Sequence, residues 1–271
     1  MKKVLVALVL IALLVSLCAC GVPSNKFMSK AQVNSLAKKI PNPQAEVTLS
    51  YTKGNDNFDV TITYDLLLEQ APIAVTRFIQ IASKEENNYE NTIVDTLNSA
   101  DKYLVMGRYE KRQDNKYFNV RTTDGTFVGE FKSNDYREPS NGYAEFKILS
   151  LAMFHEKDSD GEHFNSADGT LIMALGNEIT LNSANYAVFA EWVSITVVTN
   201  GKVEDAKTYT RNVPSLIQNH LMSFTSRTTQ PIYDASDDGA SSVSVSIVSA
   251  APTLSVRILG VDDLKKLPTI R

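Results

Sequence analysis

The chain is poor in the residues that carry most recognisable chemistry. Its 271 residues include two cysteines, Cys18 and Cys20, both at the edge of an N-terminal apolar run. The body of the protein therefore has no disulfide, no reactive thiol and no cysteine metal site, and its stability must come from its core. Three histidines, His155, His163 and His220, stand without the spacing of a metal-ligand set and read as surface or rim residues. Asp158-Ser159-Asp160-Gly161-Glu162 lacks the sixth-position glycine and the distant glutamate of a calcium loop. No glycine-rich phosphate loop and no G-x-S-x-G elbow occurs, so no cofactor and no metal is expected. Lysine and arginine (27) are outnumbered by aspartate and glutamate (31), for a formal charge of −4, and basic runs are no longer than Lys38-Lys39 or Lys265-Lys266. That balance excludes a phosphate-neutralising surface, and nucleic acid is not an expected partner.

What is present begins with Met1-Lys2-Lys3 and the apolar run Val4–Leu17, the layout of a signal peptide and too short for a dependable membrane span. Leu17-Cys18-Ala19-Cys20-Gly21 resembles a bacterial lipobox, which implies a signal peptide over residues 1–19 and a lipid on Cys20. Cys18 competes less well because Leu17 would occupy the last position before the cut, where a small residue is preferred. Removal of Lys2 and Lys3 moves the charge from −4 to −6, and a two-chain anchor holds firmly where one chain binds marginally. The expected location is the extracytoplasmic face of a cell membrane, with the membrane itself as partner. Residues 20–45, with Pro23, Pro41 and Pro43 and a short helix over Ser29–Lys39, read as a tether. The folded domain is expected over 46–271, with a divergent segment at about 201–242.

Val47, Leu49 and Tyr51, then Phe58, Val60, Ile62 and Tyr64, alternate with polar residues about a Lys53-Gly54-Asn55-Asp56-Asn57 turn and predict a hairpin with one buried face. Ala71-Pro72 opens a helix whose apolar stripe is Val75, Phe78, Ile79 and Ala82. Leu171–Leu175 and Tyr186–Phe189 are short apolar runs between turn signals and predict buried strands. Asn212–Phe224 reads as a second amphipathic helix, Thr225–Ser242 as a loop and Val243–Leu259 as one or two closing strands.

Five of these segments together resemble the cyclophilin-type peptidyl-prolyl isomerases. They are Ala71-Pro72 through Ala82, Tyr89-Glu90-Asn91-Thr92-Ile93, Val128-Gly129-Glu130-Phe131 through Asn134, Ile148-Leu149-Ser150-Leu151-Ala152, and Asn165 through Met173 followed by Tyr186-Ala187-Val188-Phe189. They occur in family order. The resemblance implies a mainly β fold, a closed eight-stranded antiparallel barrel with two capping helices, and a groove for prolyl peptides.

Prolyl isomerisation moves no proton. It needs an apolar slot for the proline ring and a donor aimed at the prolyl nitrogen as the amide twists out of resonance. Carried over residue by residue, the family's catalytic arginine falls on Thr96 and its peptide-binding glutamine on Met106. The groove positions fall on Tyr103, Met153, Phe154, Thr170, Leu171, Ile172 and Leu181, with Tyr186 at the rim. The implied reading is a peptide- or protein-binding accessory module with its catalytic groups replaced, engaging proline-containing segments or exported proteins. The alternative is a slow isomerase in which Arg108 points into the groove and replaces the lost donor.

Overall fold

A computed structural model of the chain describes residues 27–112, 115–158, 161–204, 212–236 and 242–261. The expected signal peptide, Cys20 and parts of the 201–242 segment lie outside the described residues. No helix among the described residues is long and apolar enough to cross a membrane.

The strands in chain order are β1 (Gln44–Lys53), β2 (Asp56–Leu66), β3 (Thr92–Asn98), β4 (Tyr103–Lys111), β5 (Tyr117–Asn119), β6 (Leu151–Met153), β7 (Lys157–Asp158), β8 (Gly161–Glu162), β9 (Leu171–Ala174), β10 (Val188–Thr199), β11 (Lys202–Val203), β12 (Arg227–Asp234), β13 (Ser242–Val248) and β14 (Thr253–Leu259). The helices are α1 (Lys30–Lys39), α2 (Pro72–Ala82) and α3 (Val213–Leu216), the last continued by a π-helical turn over Ile217–Leu221. Eight strands close on themselves in the order β1-β2-β10-β6-β9-β4-β3-β14, and every neighbouring pair is antiparallel. The expected closed eight-stranded antiparallel fold is met on this connectivity alone.

Alternation drives the closure. On β1, Ala45, Val47, Leu49 and Tyr51 face inward. On β2, Val60, Ile62 and Tyr64 do so. Gly54, at φ +65°, makes the two-residue connection between Lys53 and Asp56 in a conformation that other residues reach only at a cost. The interior is one continuous apolar cluster that takes in Leu104 and Met106 of β4, Leu151 and Met153 of β6, Leu171 and Met173 of β9 and Phe189 of β10. Closure gives every ring strand a partner on both sides over at least part of its length.

The two expected helices pack on this ring. α2 buries Ile73, Ala74, Val75, Phe78, Ile79 and Ile81 against it. The α3–π segment buries Leu216, Ile217 and Leu221, and Lys53 Nζ donates to the Asn219 carbonyl at 2.9 Å. A third helix, α1, begins with a capping box in which the Ser29 hydroxyl accepts from Gln32 N–H and the Gln32 side chain accepts from Ser29 N–H. Its Leu36, with the following Ile40, enters the main core. The Phe27 ring lies 5.0 Å from that of Tyr136, tilted by 57°. The expected tether is therefore part of the domain from Phe27 onward. Thr225–Ser242 also departs from expectation. β12 runs antiparallel to β13 and parallel to β5, so cross-strand pairing overrides a stretch whose own sequence carries Pro231 and few apolar residues.

The start of α2 is held from outside the helix. Glu130 Oε2 accepts from the N–H groups of Ile73 (2.7 Å) and Ala74 (2.9 Å), where the helix has unpaired donors and a positive dipole end. Burial nevertheless pushes the Glu130 carboxyl up to about 8, against the pull of those two donors and of Arg137. A folded-state pKa raised above the ordinary 4.5 means that the native state holds a proton the unfolded chain has lost. Stability from this group is thus full below about pH 4.5 and is lost as pH rises through 8. Urea unfolding between pH 5 and 8 should give a falling stability for the wild type that Glu130→Gln does not share. At pH 6, Glu130→Ala, which orphans both donors, should cost on the order of 2 kcal/mol more than Glu130→Gln.

Candidate functional site

β3 and β4 carry paired irregularities that bring a charged pair to the outside of the ring. Thr92 faces Glu110, Val94 faces Met106 and Thr96 faces Val105. Asp95 is thus an extra residue on β3, and the stretch from Gly107 to Tyr109 bulges on β4. Gly107 permits the second bulge: it sits at φ +85°, and a Cβ there would meet the Tyr89 ring at 3.0 Å. Bulges re-aim side chains, and here they turn Asp95 and Arg108 toward each other.

Arg108 Nη2 donates to Asp95 Oδ1 at 3.0 Å, and the Thr96 hydroxyl donates to the same oxygen at 2.9 Å. Asp95 is buried at 1% exposure, whereas the arginine side chain keeps 23%. Asp95 Oδ2 and Arg108 Nε are buried with no hydrogen-bond partner. The guanidinium lies 4.6 Å from the Tyr109 ring centroid and 5.5 Å from that of Phe154. Burial raises the Asp95 pKa, opposed chiefly by Arg108. Burial is the largest influence on Arg108 and works against its charge, but Asp95, Tyr109 and Asp168 together outweigh it and hold that pKa above its ordinary value. The donor expected in the alternative reading does stand beside Phe154. It is tied to a carboxylate.

Next to this pair lies an outer apolar cluster of Phe146, Ala152, Ile172, Ala174, Tyr186 and Val188, with Tyr103, Phe154, Ile179 and Leu181 packed against it half-buried. Five of the expected groove residues meet here: Tyr103, Phe154, Ile172, Leu181 and Tyr186. Alternation explains the selection, because Ile172 and Ala174 of β9 point outward while Leu171 and Met173 point into the ring. Met106, Met153 and Leu171 belong to the interior core and take no part in an outer groove. Thr170 is buried with its hydroxyl unpartnered, and its carbonyl accepts from Phe154 N–H at 2.8 Å. Thr96 offers its hydroxyl to Asp95 rather than to the groove.

The face is closed. Ile172 at its centre is 1% exposed, and Tyr186 and Phe146 are 7% exposed. Phe146 reaches the cluster from the irregular segment before β6, its ring 5.7 Å from that of Tyr186 and its N–H donating to the Ser183 hydroxyl at 3.0 Å. His155 stacks on the other side of Tyr186 at 4.5 Å and hydrogen-bonds the Asn185 carbonyl through Nε2 at 2.7 Å. Of the histidines expected at the surface or rim, His155, 2% exposed, packs against the rim residue Tyr186, whereas His220, 5% exposed, is buried 2.6 Å from the Tyr51 hydroxyl. Burial lowers the His220 pKa. His163 is exposed as expected. No group of three or more His, Cys, Asp or Glu side chains suited to a metal occurs among the described residues.

Two residues that shape this face carry little or no signal in the sequence. Asp95 had a signal, a carboxylate inside the β-run Ile93-Val94-Asp95-Thr96-Leu97. Phe146 had none, being one aromatic in a polar stretch.

No family model matches the chain, and no curated protein matches it. Among solved structures, the cyclophilin-type peptidyl-prolyl cis-trans isomerase of Cryptosporidium parvum aligns over 79% of this chain and 97% of its own, at 12% identity and a TM-score of 0.39. The Mimivirus cyclophilin aligns over 79% of this chain and 86% of its own, at 14% identity and the same TM-score. The chain is similar to cyclophilins. Likeness at this level leaves the site to be read from this chain's own side chains.

The Asp95–Arg108 pair makes a stability prediction. Arg108→Met strips the partner from a buried carboxylate and should cost on the order of 3 kcal/mol by urea unfolding at pH 7. Asp95→Asn/Arg108→Met, which removes both charges, should recover most of that loss.

Proposed function

We propose that this chain is a non-catalytic polypeptide-binding module of the cell envelope, anchored through a lipid on Cys20. The observation that supports the reading is the burial of Ile172 at 1% in the cluster that Phe146 joins. A prolyl ring needs an open apolar slot, and a residue at this exposure offers no surface to a ligand until its covering side chains move. The second support is electrostatic. An isomerase donor must be aimed at the prolyl nitrogen, and Arg108 Nη2 is aimed at a buried carboxylate 3.0 Å away. Losing such a donor in other enzymes costs about 2.7–4 kcal/mol of transition-state stabilisation, which is most of the useful rate.

The slow-isomerase reading keeps one observation in its favour, the 5.5 Å approach of Arg108 to Phe154. A prolyl-peptide isomerisation assay separates the two. Wild type is expected to match the uncatalysed rate, and Phe146→Ala/Asp95→Asn, which opens the slot and frees the guanidinium, is expected to gain activity. Clear activity in the wild type that Arg108→Met abolishes would overturn the non-catalytic reading in favour of the isomerase.

A further inference from the structure

Among the described residues, β13 is the longest strand that pairs on one side alone. β3, β4, β5, β12 and β13 curl outward from the ring as a continuation of its sheet, and a small core of Ile93, Tyr109, Ile232 and Ile247 fills the curl. β13 ends this extension: it pairs with β12 on one side, and among the described residues no strand pairs with the other.

The ladder fixes which backbone groups face out. Ser249 N–H donates to the Ser226 carbonyl at 2.8 Å, and the unshifted register pairs Val248 with Arg227, Val245 with Gln230 and Val243 with Ile232. Hydrogen-bonded pairs alternate along an antiparallel ladder. Val243, Val245 and Ile247 therefore spend their backbone groups on β12, and Ser242, Ser244 and Ser246 direct theirs to the open side. Pro231, opposite Ser244, fits this phase because its missing N–H is not needed for β13.

Natural edges are blunted by charge, proline or bulges. β13, Ser-Val-Ser-Val-Ser-Ile-Val, has no charge, no proline and no break in register. Among the described residues its one shield is Arg227, whose Nε donates to the Ser246 hydroxyl at 3.0 Å and whose Nη2 donates to the Ser246 carbonyl. The unshielded half is Ser242–Val245. That half borders a cavity of about 150 Å³ whose apolar walls are Tyr109, Ile232 and Val243, with Asp234 at the rim. Val243 is 65% exposed. Asp234 accepts from Thr122 and Ser236, which holds its carboxyl below the ordinary range, so the rim is anionic.

We propose that an extended segment of a partner polypeptide adds to β13 as a further strand, placing one aliphatic side chain in the Tyr109–Ile232–Val243 cavity and a lysine or arginine near Asp234. Main-chain hydrogen bonds supply affinity in this mode, and a side-chain pocket and a charge supply selectivity. The proposal rests on the polypeptide-binding reading and names its site.

The probe is fluorescein-labelled Lys-Thr-Val-Thr-Leu-Thr-Val-Thr-Lys, titrated by anisotropy with the purified chain. Ser244→Pro removes an outward N–H that the β12 ladder does not use, and Val243→Asp puts a charge at the cavity from an exposed position. Both should keep the wild-type melting temperature and weaken binding by roughly tenfold or more, while Phe146→Ala leaves it unchanged. Alternate N-methylation of the peptide should abolish binding. No binding by the wild type, or binding that both β13 variants retain, overturns the strand-addition site. Binding lost instead in Tyr186→Ala would keep the polypeptide-binding reading and move the site to the outer cluster. A concentration-dependent dimer that Ser244→Pro dissolves would assign the edge to a second copy of this chain and overturn the proposal.

Discussion

Pairing of β4 with β9 is the contact on which the rest of the molecule depends. Tyr103 through Met106 meet Ala174 through Leu171 residue for residue, and this ladder turns a curved sheet into a ring. Once the ring is shut, every strand has an inside and an outside, and the two-residue period decides which side chains enter the core. Leu104, Met106, Leu171 and Met173 go in; Tyr103, Ile172 and Ala174 go out. The outer cluster is thus a by-product of closure, built from residues that closure leaves no room for inside. The bulges at Asp95 and Gly107 add the charged pair at its edge.

The ring was legible in the chain because its strongest strands announce themselves. β1 and β2 alternate without interruption, α2 opens on proline, and the apolar runs at Leu171–Leu175 and Tyr186–Phe189 sit between turn residues. The same periodicity could not tell an outward residue from an inward one on short strands such as β6 and β9. Met153 and Leu171, expected in the groove, and Met106, at the family's glutamine position, face the core instead. β12 was missed because its strand character comes from β13 and β5 beside it, and α1 was read as tether because Val33, Leu36 and Ile40 are too few to betray a packed face without knowledge of what they pack on.

The site was half legible for a related reason. Tyr103, Phe154, Ile172, Leu181 and Tyr186 follow from the family resemblance and meet in space. What decides their use comes from long-range contacts: Phe146 arrives from an irregular segment, and Asp95 and Arg108 meet only through two bulges. Periodicity carries no information about either event. The consequence is a face that keeps its apolar residues and spends them on internal packing, while β13 has a partner strand on one side alone among the described residues.

The central claim is that Phe146 seals the outer cluster, and ¹⁹F NMR of the chain carrying fluorophenylalanine at that position tests it most directly. The account predicts a single resonance with the small solvent isotope shift of a buried ring, unmoved by a saturating prolyl peptide. A solvent-exposed resonance, or one displaced by the peptide, would show that the slot opens and would contradict it.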